Sequence, residues 1–267
     1  MSTALAGLAL EHVLYEKKGT IAYVTLNRPA VRNALNAAML QELRAVFEEC
    51  RDDDTVRGII LTGAGDKAFA AGADVSEIIN DTPIQAEAKT RYGQALTCLI
   101  ENLGKPVVAA VNGYALGGGC ELAMACTIRV AAGSATFGLP EVGLGIMPGY
   151  GGTQRLPRLV GRGVAQQLIL SAELISAQEA YRIGLVNEVA TRAELLGRAE
   201  AILNRIGANA PQSVKFAMEA VNKGLDTSLD EGLLIEASLF AVCAATEDKK
   251  EGTSAFLEKR APTFRGR

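Results

Sequence analysis

Two runs constrain the fold of this 267-residue chain more than anything else in it: "VRGIILTGAG" (56–65) and "KPVVAAVNG" (105–113). Each is apolar at successive rather than alternate positions and ends in glycine. Such a run has no face left for water, which suits a strand covered on both sides in a parallel sheet. Parallel strands need long crossovers, and helical patterns fill the gaps. Behind Asn36 as a cap, Leu40, Leu43, Phe47 and Cys50 fall on one face. A second helix is expected from about Gln85 to Leu103, and a third begins within "GGGCELAMAC". Ahead of these, "HVLYEKKGTIAYVTLNRP" reads as a hairpin across Gly19 stopped by Pro29, and "TIRVAAGSATFG" gives two more short strands. The alternation predicts an α/β core over residues 1–196. From 197 to 267 the strand patterns stop, and "PQSVKFAMEAVNKG" and "SLDEGLLIEASLFAVCAAT" predict an all-helical region.

Hydrophobic residues make up 49% of the chain but aromatics only 5%, with no Trp, so the core must be built from small aliphatic side chains. A net charge of −3 argues against a nucleic-acid partner, which calls for a basic face. The five cysteines form no C-x-x-C pair, and the single His12 leaves no His/Cys set for a metal. Reduced thiols in a cytoplasmic protein follow. The apolar N-terminal run is too short to span a membrane and has no basic start, so neither a signal peptide nor a membrane partner is expected.

The stretch "YALGGGCELAM" gives up three side chains in a row, Gly117, Gly118 and Gly119, just before a helix. The first-turn N–H groups of a helix are unpaired and carry the positive end of its dipole. Two readings stand: a tight packing corner, or main-chain donors presented to an anion or to developing negative charge. The stretch is neither a P-loop nor a dinucleotide fingerprint. A second small-residue turn, "FAAGAD" (69–74), follows the other apolar run. If the two runs are parallel neighbours, both turns lie at the same end of the sheet, where one donor from each can meet at a single oxygen.

"AFAAGADVSEI", "KPVVAAVNGYALGGGCELAMACTIRVA" and "FGLPEVGLGIMPGYGGTQRLPRLVG" resemble the motif blocks of the crotonase (enoyl-CoA hydratase/isomerase) superfamily. The likeness extends from the first hairpin to "AFLEKR", nearly the whole chain. It implies a spiral of ββα units followed by a helical trimerisation region, assembly as trimers or paired trimers, and an acyl-CoA substrate drawn from fatty-acid metabolism. Apart from coenzyme A as part of the substrate, it implies no cofactor. Ala73 and Gly118 match the family's oxyanion donors, and Glu121 and Glu141 its two catalytic acids. Retention of both acids is the hydratase arrangement, nearest to that of the short-chain enzymes. The resemblance further implies substrate contacts from Ala71, Gly72, Asp74, Val75, Gly149, Phe256 and Lys259. Lys259 reads equally well as an ordinary solvated lysine.

Some positions depart from the family pattern. Many members carry Lys two positions after the loop Asp, where this chain has Ser76, so a phosphate contact from there is lost. Tyr150 replaces a smaller residue and narrows the acyl end. Arg155, Arg158 and Arg162 form a basic run that reads as a solvated or interface face more readily than as a phosphate site. The expected reaction is reversible syn addition of water to a trans-2-enoyl thioester. The alternatives are a related double-bond isomerase, decarboxylase or hydrolase, or a non-catalytic RNA- or protein-binding relative.

Overall fold

The opening hairpin forms as expected. In the computed structural model, which describes residues 9–267, β1 (Val13–Lys18) and β2 (Ile21–Leu26) pair antiparallel. The N-terminal run that bears on a targeting segment falls largely outside the described residues. Asn36 caps α1 (Ala37–Asp52), its side chain accepting the Met39 N–H at 3.0 Å. The chain then gives β3 (Gly58–Gly63), β4 (Ala68–Ala70) and α2 (Pro83–Glu101), followed by β5 (Val107–Val111), β6 (Tyr114–Leu116) and α3 (Gly118–Ala125). β7 (Ile128–Ala132) and β8 (Thr136–Gly138) complete a third strand pair.

Each pair divides between two sheets. One sheet runs β1-β2-β3-β5-β7 and closes with β10 (Glu188–Ala190). The other runs β4-β6-β8 and ends with β9 (Ile175–Ser176). β3, β5 and β7 are mutually parallel, and so are β4, β6 and β8. This is the expected ββα spiral, each turn laying one strand in each sheet. Asn112 ties the ends of β3 and β5, accepting from the Gly63 N–H at 3.1 Å and donating to the Gly63 carbonyl at 2.9 Å, and its Nδ2 reaches the Ala68 carbonyl of β4 in the other sheet at 3.4 Å.

The uninterrupted apolar runs have a direct cause. Ile59, Leu61, Val107 and Ala109 face a cluster shared with Leu43 and Phe47 of α1 and Ile100 of α2. Ile60, Val108 and Ala110 point the other way, onto Leu195, Ala199 and Leu203 of α7 (Leu195–Gly207). α7 therefore closes the second face of the sheet, and packing joins the start of the C-terminal helical stretch to the core. Three helices lie where no helix is legible: α4 (Gly152–Val160), α5 (Arg162–Ser171) and α6 (Ala177–Arg182). α8 (Pro211–Gly224), α9 (Leu229–Ala244) and α10 (Glu247–Leu257) follow. Neither α8 nor α9 buries a residue fully within the chain. No helix among the described residues is long and apolar enough to cross a membrane.

Candidate active site

β4 and β6 are parallel neighbours, so the loops that follow them start from the same end of their sheet. After β4, the Gly72 carbonyl accepts the Leu35 N–H at 2.8 Å, and the Asp74 N–H donates to the Leu35 carbonyl at 2.9 Å. In a trans peptide the C=O and N–H point in opposite directions. Holding the Gly72 carbonyl on Leu35 therefore turns the Ala73 N–H away from it, and that N–H has no acceptor among the described residues.

After β6 each glycine of the triplet has its own reason. Gly117 has φ +49°, a region that favours glycine, and a Cβ there would sit 2.9 Å from the Glu141 Oε1. At Gly118 a Cβ would meet the Tyr150 ring at 3.2 Å, and at Gly119 the Ala70 carbonyl oxygen at 2.1 Å. Gly119 is thus the packing corner that seats α3 on β4, whereas Gly118 leads the helix with an N–H that takes no acceptor among the described residues. Gly119 fits the packing-corner reading, and Gly118 leaves the N–H that the other reading calls for.

Glu121 follows on the first turn of α3 and is only 1% exposed. Its Oε1 accepts the Tyr150 N–H at 2.8 Å and the Gly152 N–H at 2.6 Å. Burial pushes its carboxyl up to about 7, against the pull of the Gly152 N–H; Glu141 raises it further and the Tyr150 N–H lowers it. Glu141, half-buried on the turn at 140–144, is raised by burial, and its Oε2 is buried without a hydrogen-bond partner among the described residues. Two acids of elevated affinity for protons thus lie near two unpaired main-chain donors.

The other expected contacts divide. Ala71 is anchored by its N–H on the Arg32 carbonyl at 3.0 Å, and Val75 stands exposed beyond the loop. The Asp74 carboxylate is taken by Ser76 Oγ at 2.7 Å and Arg28 at 3.0 Å, which hold it below the usual carboxylate range. A cavity of about 130 Å³ opens beside Ala73, with Leu35, Leu40, Tyr92 and Tyr150 among its walls. That is slightly less than the ~150 Å³ that admits benzene in an engineered core. Phe256, 82% exposed, and Lys259 stand at the end of α10 and do not line this cavity. Neither Glu121 nor Glu141 lines this cavity or the larger ones, of about 420 and 520 Å³, that open elsewhere.

The structure corrects the reading of Arg155 as a solvated or interface cation. Its side chain is only 12% exposed and pairs with Glu101 at 2.7 Å, while Nη1 donates to the Tyr150 carbonyl at 3.0 Å. Asn33 is a further residue that sequence reasoning missed. Fully buried, it donates to the Ala64 and Ala68 carbonyls and fixes the loop carrying Leu35. An Asn in a polar loop after Pro29 gives no sign of this in the sequence.

Residues 16–267 match the family model described as enoyl-CoA hydratase/isomerase. A relative from Clostridium acetobutylicum, named short-chain-enoyl-CoA hydratase, is 50% identical over 95% of this chain and 97% of its own length. Another from Syntrophomonas wolfei, named crotonyl-CoA hydratase, is 49% identical over 96% and 99%. The crystal structure of an enoyl-CoA hydratase from Bacillus anthracis superposes with a TM-score of 0.92 at 40% identity, covering 96% of this chain and all of that one. With the sequence matched almost end to end and the ββα spiral reproduced, the chain belongs to the enoyl-CoA hydratase/isomerase family.

Proposed function

We propose that the protein catalyses reversible syn addition of water to trans-2-enoyl-CoA thioesters, giving 3-hydroxyacyl-CoA. The observation that carries this reading is the pairing of a buried and a half-buried carboxyl group, Glu121 and Glu141, with two main-chain donors that take no acceptor among the described residues. The Ala73 and Gly118 N–H groups receive the thioester oxygen, polarise the conjugated system and stabilise the enolate-like charge of the transition state, a contribution of about 2.7–4 kcal/mol per donor. Water bound at Glu121 loses a proton to its carboxylate as the new C–O bond forms at Cβ. The alkene electrons move toward the carbonyl, and Cα takes a proton from Glu141. In dehydration the roles reverse. The two N–H groups on Glu121 favour its ionised form, whereas Glu141 Oε2 has no donor and suits a protonated acid. Coenzyme A enters as part of the substrate, and the addition draws only on groups of this chain.

Full-length protein mixed with crotonyl-CoA is expected to consume the conjugated thioester, read as loss of its ultraviolet absorbance, with 3-hydroxybutyryl-CoA as product. The kcat/KM should fall about tenfold per pH unit below about pH 7, where Glu121 takes up a proton. Isomerisation or thioester hydrolysis without hydration would overturn the reading.

The assembly belongs to the same proposal. Leu229, Leu233, Leu234 and Phe240 of α9 are 52–76% exposed, and Val221 and Leu225 of α8 and its end add to them. An apolar area of this kind marks an interface, and a homotrimer or a pair of trimers is the assembly the family resemblance implies. Phe256 and Lys259 would then be presented to the coenzyme A of a neighbouring subunit. The double variant Leu234→Asp/Phe240→Asp should lower the mass measured by light scattering to that of a monomer; an unchanged mass counts against this interface. A cytoplasmic setting belongs to the same proposal and fits five scattered cysteines with no C-x-x-C pair.

A further inference from the structure

Both N–H groups that hold Glu121 come from one short turn, Gly149–Gly152, and that turn is gripped from its opposite side. Gln94 Nε2 donates to the Gly149 carbonyl at 2.9 Å. The Gly149 carbonyl and the Tyr150 N–H share one trans peptide, so fixing the carbonyl toward α2 aims the N–H the other way, at Glu121. The next carbonyl, of Tyr150, lies 3.0 Å from Thr97 Oγ1 and 3.0 Å from Arg155 Nη1. These two donors also touch each other at 3.1 Å. Glu101 braces the guanidinium through Nε and Nη2. Gln94, Thr97 and Glu101 follow helical spacing along α2, a single face toward the turn. Gly151 has φ +110°, and a Cβ there would sit 2.2 Å from Arg155 Nη1, so the guanidinium occupies the space a side chain would take.

We propose that Gln94, Thr97 and Arg155 are positioning residues that aim the Gly149–Gly152 turn, and through it the carboxylate of Glu121. The proposal rests on the reading of Glu121 as the base. If the turn loosens, the two N–H donors drift from Oε1, the ionised carboxylate loses their support and its proton is held more tightly. The charged and titratable groups facing Glu121 are Glu141 from the turn at 140–144, Arg155 from α4, Cys120 beside it on α3 and Tyr150. Arg155 alone among them carries positive charge, so its removal also acts through space. Thr97 and Gln94 are neutral and isolate the positioning effect.

The experiment compares kcat/KM for crotonyl-CoA against pH in the full-length parent, Gln94→Leu/Thr97→Val, Arg155→Lys and Glu121→Gln. The double variant should move the acidic limb upward by about half a pH unit to one unit and lower kcat about tenfold, with KM within about twofold. Arg155→Lys keeps the charge but loses the planar fork, so kcat should fall with a smaller limb shift. Carbon-13 NMR of glutamate-labelled protein, assigned by Glu121→Gln, reads the same titration without turnover. If the double variant keeps both limb and carboxyl titration within about 0.2 units of the parent, the network is only a scaffold and the proposal is overturned. If instead Glu121→Gln retains turnover, Glu121 is not the base; an upward shift of the carboxyl titration in the double variant would still support the positioning role.

Discussion

Glu121→Gln is expected to lower kcat about 10²–10⁴-fold, the range general-base catalysis contributes, while making the protein more stable at alkaline pH. The amide oxygen of Gln can accept the same Tyr150 and Gly152 N–H groups at the 2.8 and 2.6 Å positions, so the turn keeps its anchor. What disappears is the ionisation. In the folded chain the Glu121 carboxyl is raised from 4.5 to about 7. A group that binds its proton more tightly when folded contributes stability below pH 4.5 and loses it as the pH climbs to 7. Above that the native state must bury a carboxylate, at a cost of about 3 kcal/mol. Melting temperatures of parent and variant should therefore diverge between pH 4.5 and 7 and run parallel on either side. A gap that stays flat through that window would mean Glu121 ionises as an ordinary carboxylate. Turnover within tenfold of the parent would remove it from the chemistry.

How far the sequence led depends on the length and locality of each signal. β3 and β5 were legible because both their faces are buried, which writes apolar residues at successive positions. α1 was legible down to its cap, since Asn36 and the spacing of Leu40, Leu43 and Phe47 lie within one stretch. β4, β6 and β8 span three residues each, too few to show any period. The two loops were thus placed after the longer runs, whereas short strands of a second sheet bring them together. α4 was hidden by Pro157 inside it and Gly161 at its end. Glu121 and Glu141 stood out through long motif blocks, since spacing alone gives no reason to choose two carboxylates among thirty acids. Arg155 was misread because its partners Thr97 and Glu101 lie more than fifty positions away, and only the packing of α4 on α2 turns a cation in a basic run into an internal clamp.

Gly119→Ala should damage the protein more than Gly118→Ala, although the two residues are adjacent and helical. At Gly119 the new methyl group would lie 2.1 Å from the Ala70 carbonyl oxygen and 2.8 Å from its carbonyl carbon. These are main-chain atoms of β4, so no rotamer change can relieve the clash and α3 must lift away from the strand. Overpacking of this kind costs about 1–3 kcal/mol, sometimes more. Because β4 leads into Ala73 and α3 begins at Gly118, the same movement separates the two N–H donors. Loss of one such donor lowers kcat about 10²–10³-fold, and the variant should show that loss together with a reduced melting temperature. At Gly118 the nearest atoms to the methyl group are side-chain ones, the Tyr150 ring at 3.2 Å and a Leu35 methyl at 3.4 Å. Side chains can give by a few tenths of an ångström, so stability should stay within about 1 kcal/mol of the parent. Turnover should still fall, because the methyl group intrudes beside the donor itself. Melting curves and crotonyl-CoA rates on the two variants separate the roles. Parent-like melting and rate in Gly119→Ala would show that α3 does not seat on β4 in this way, and the two loops would then need some other support to share one oxygen.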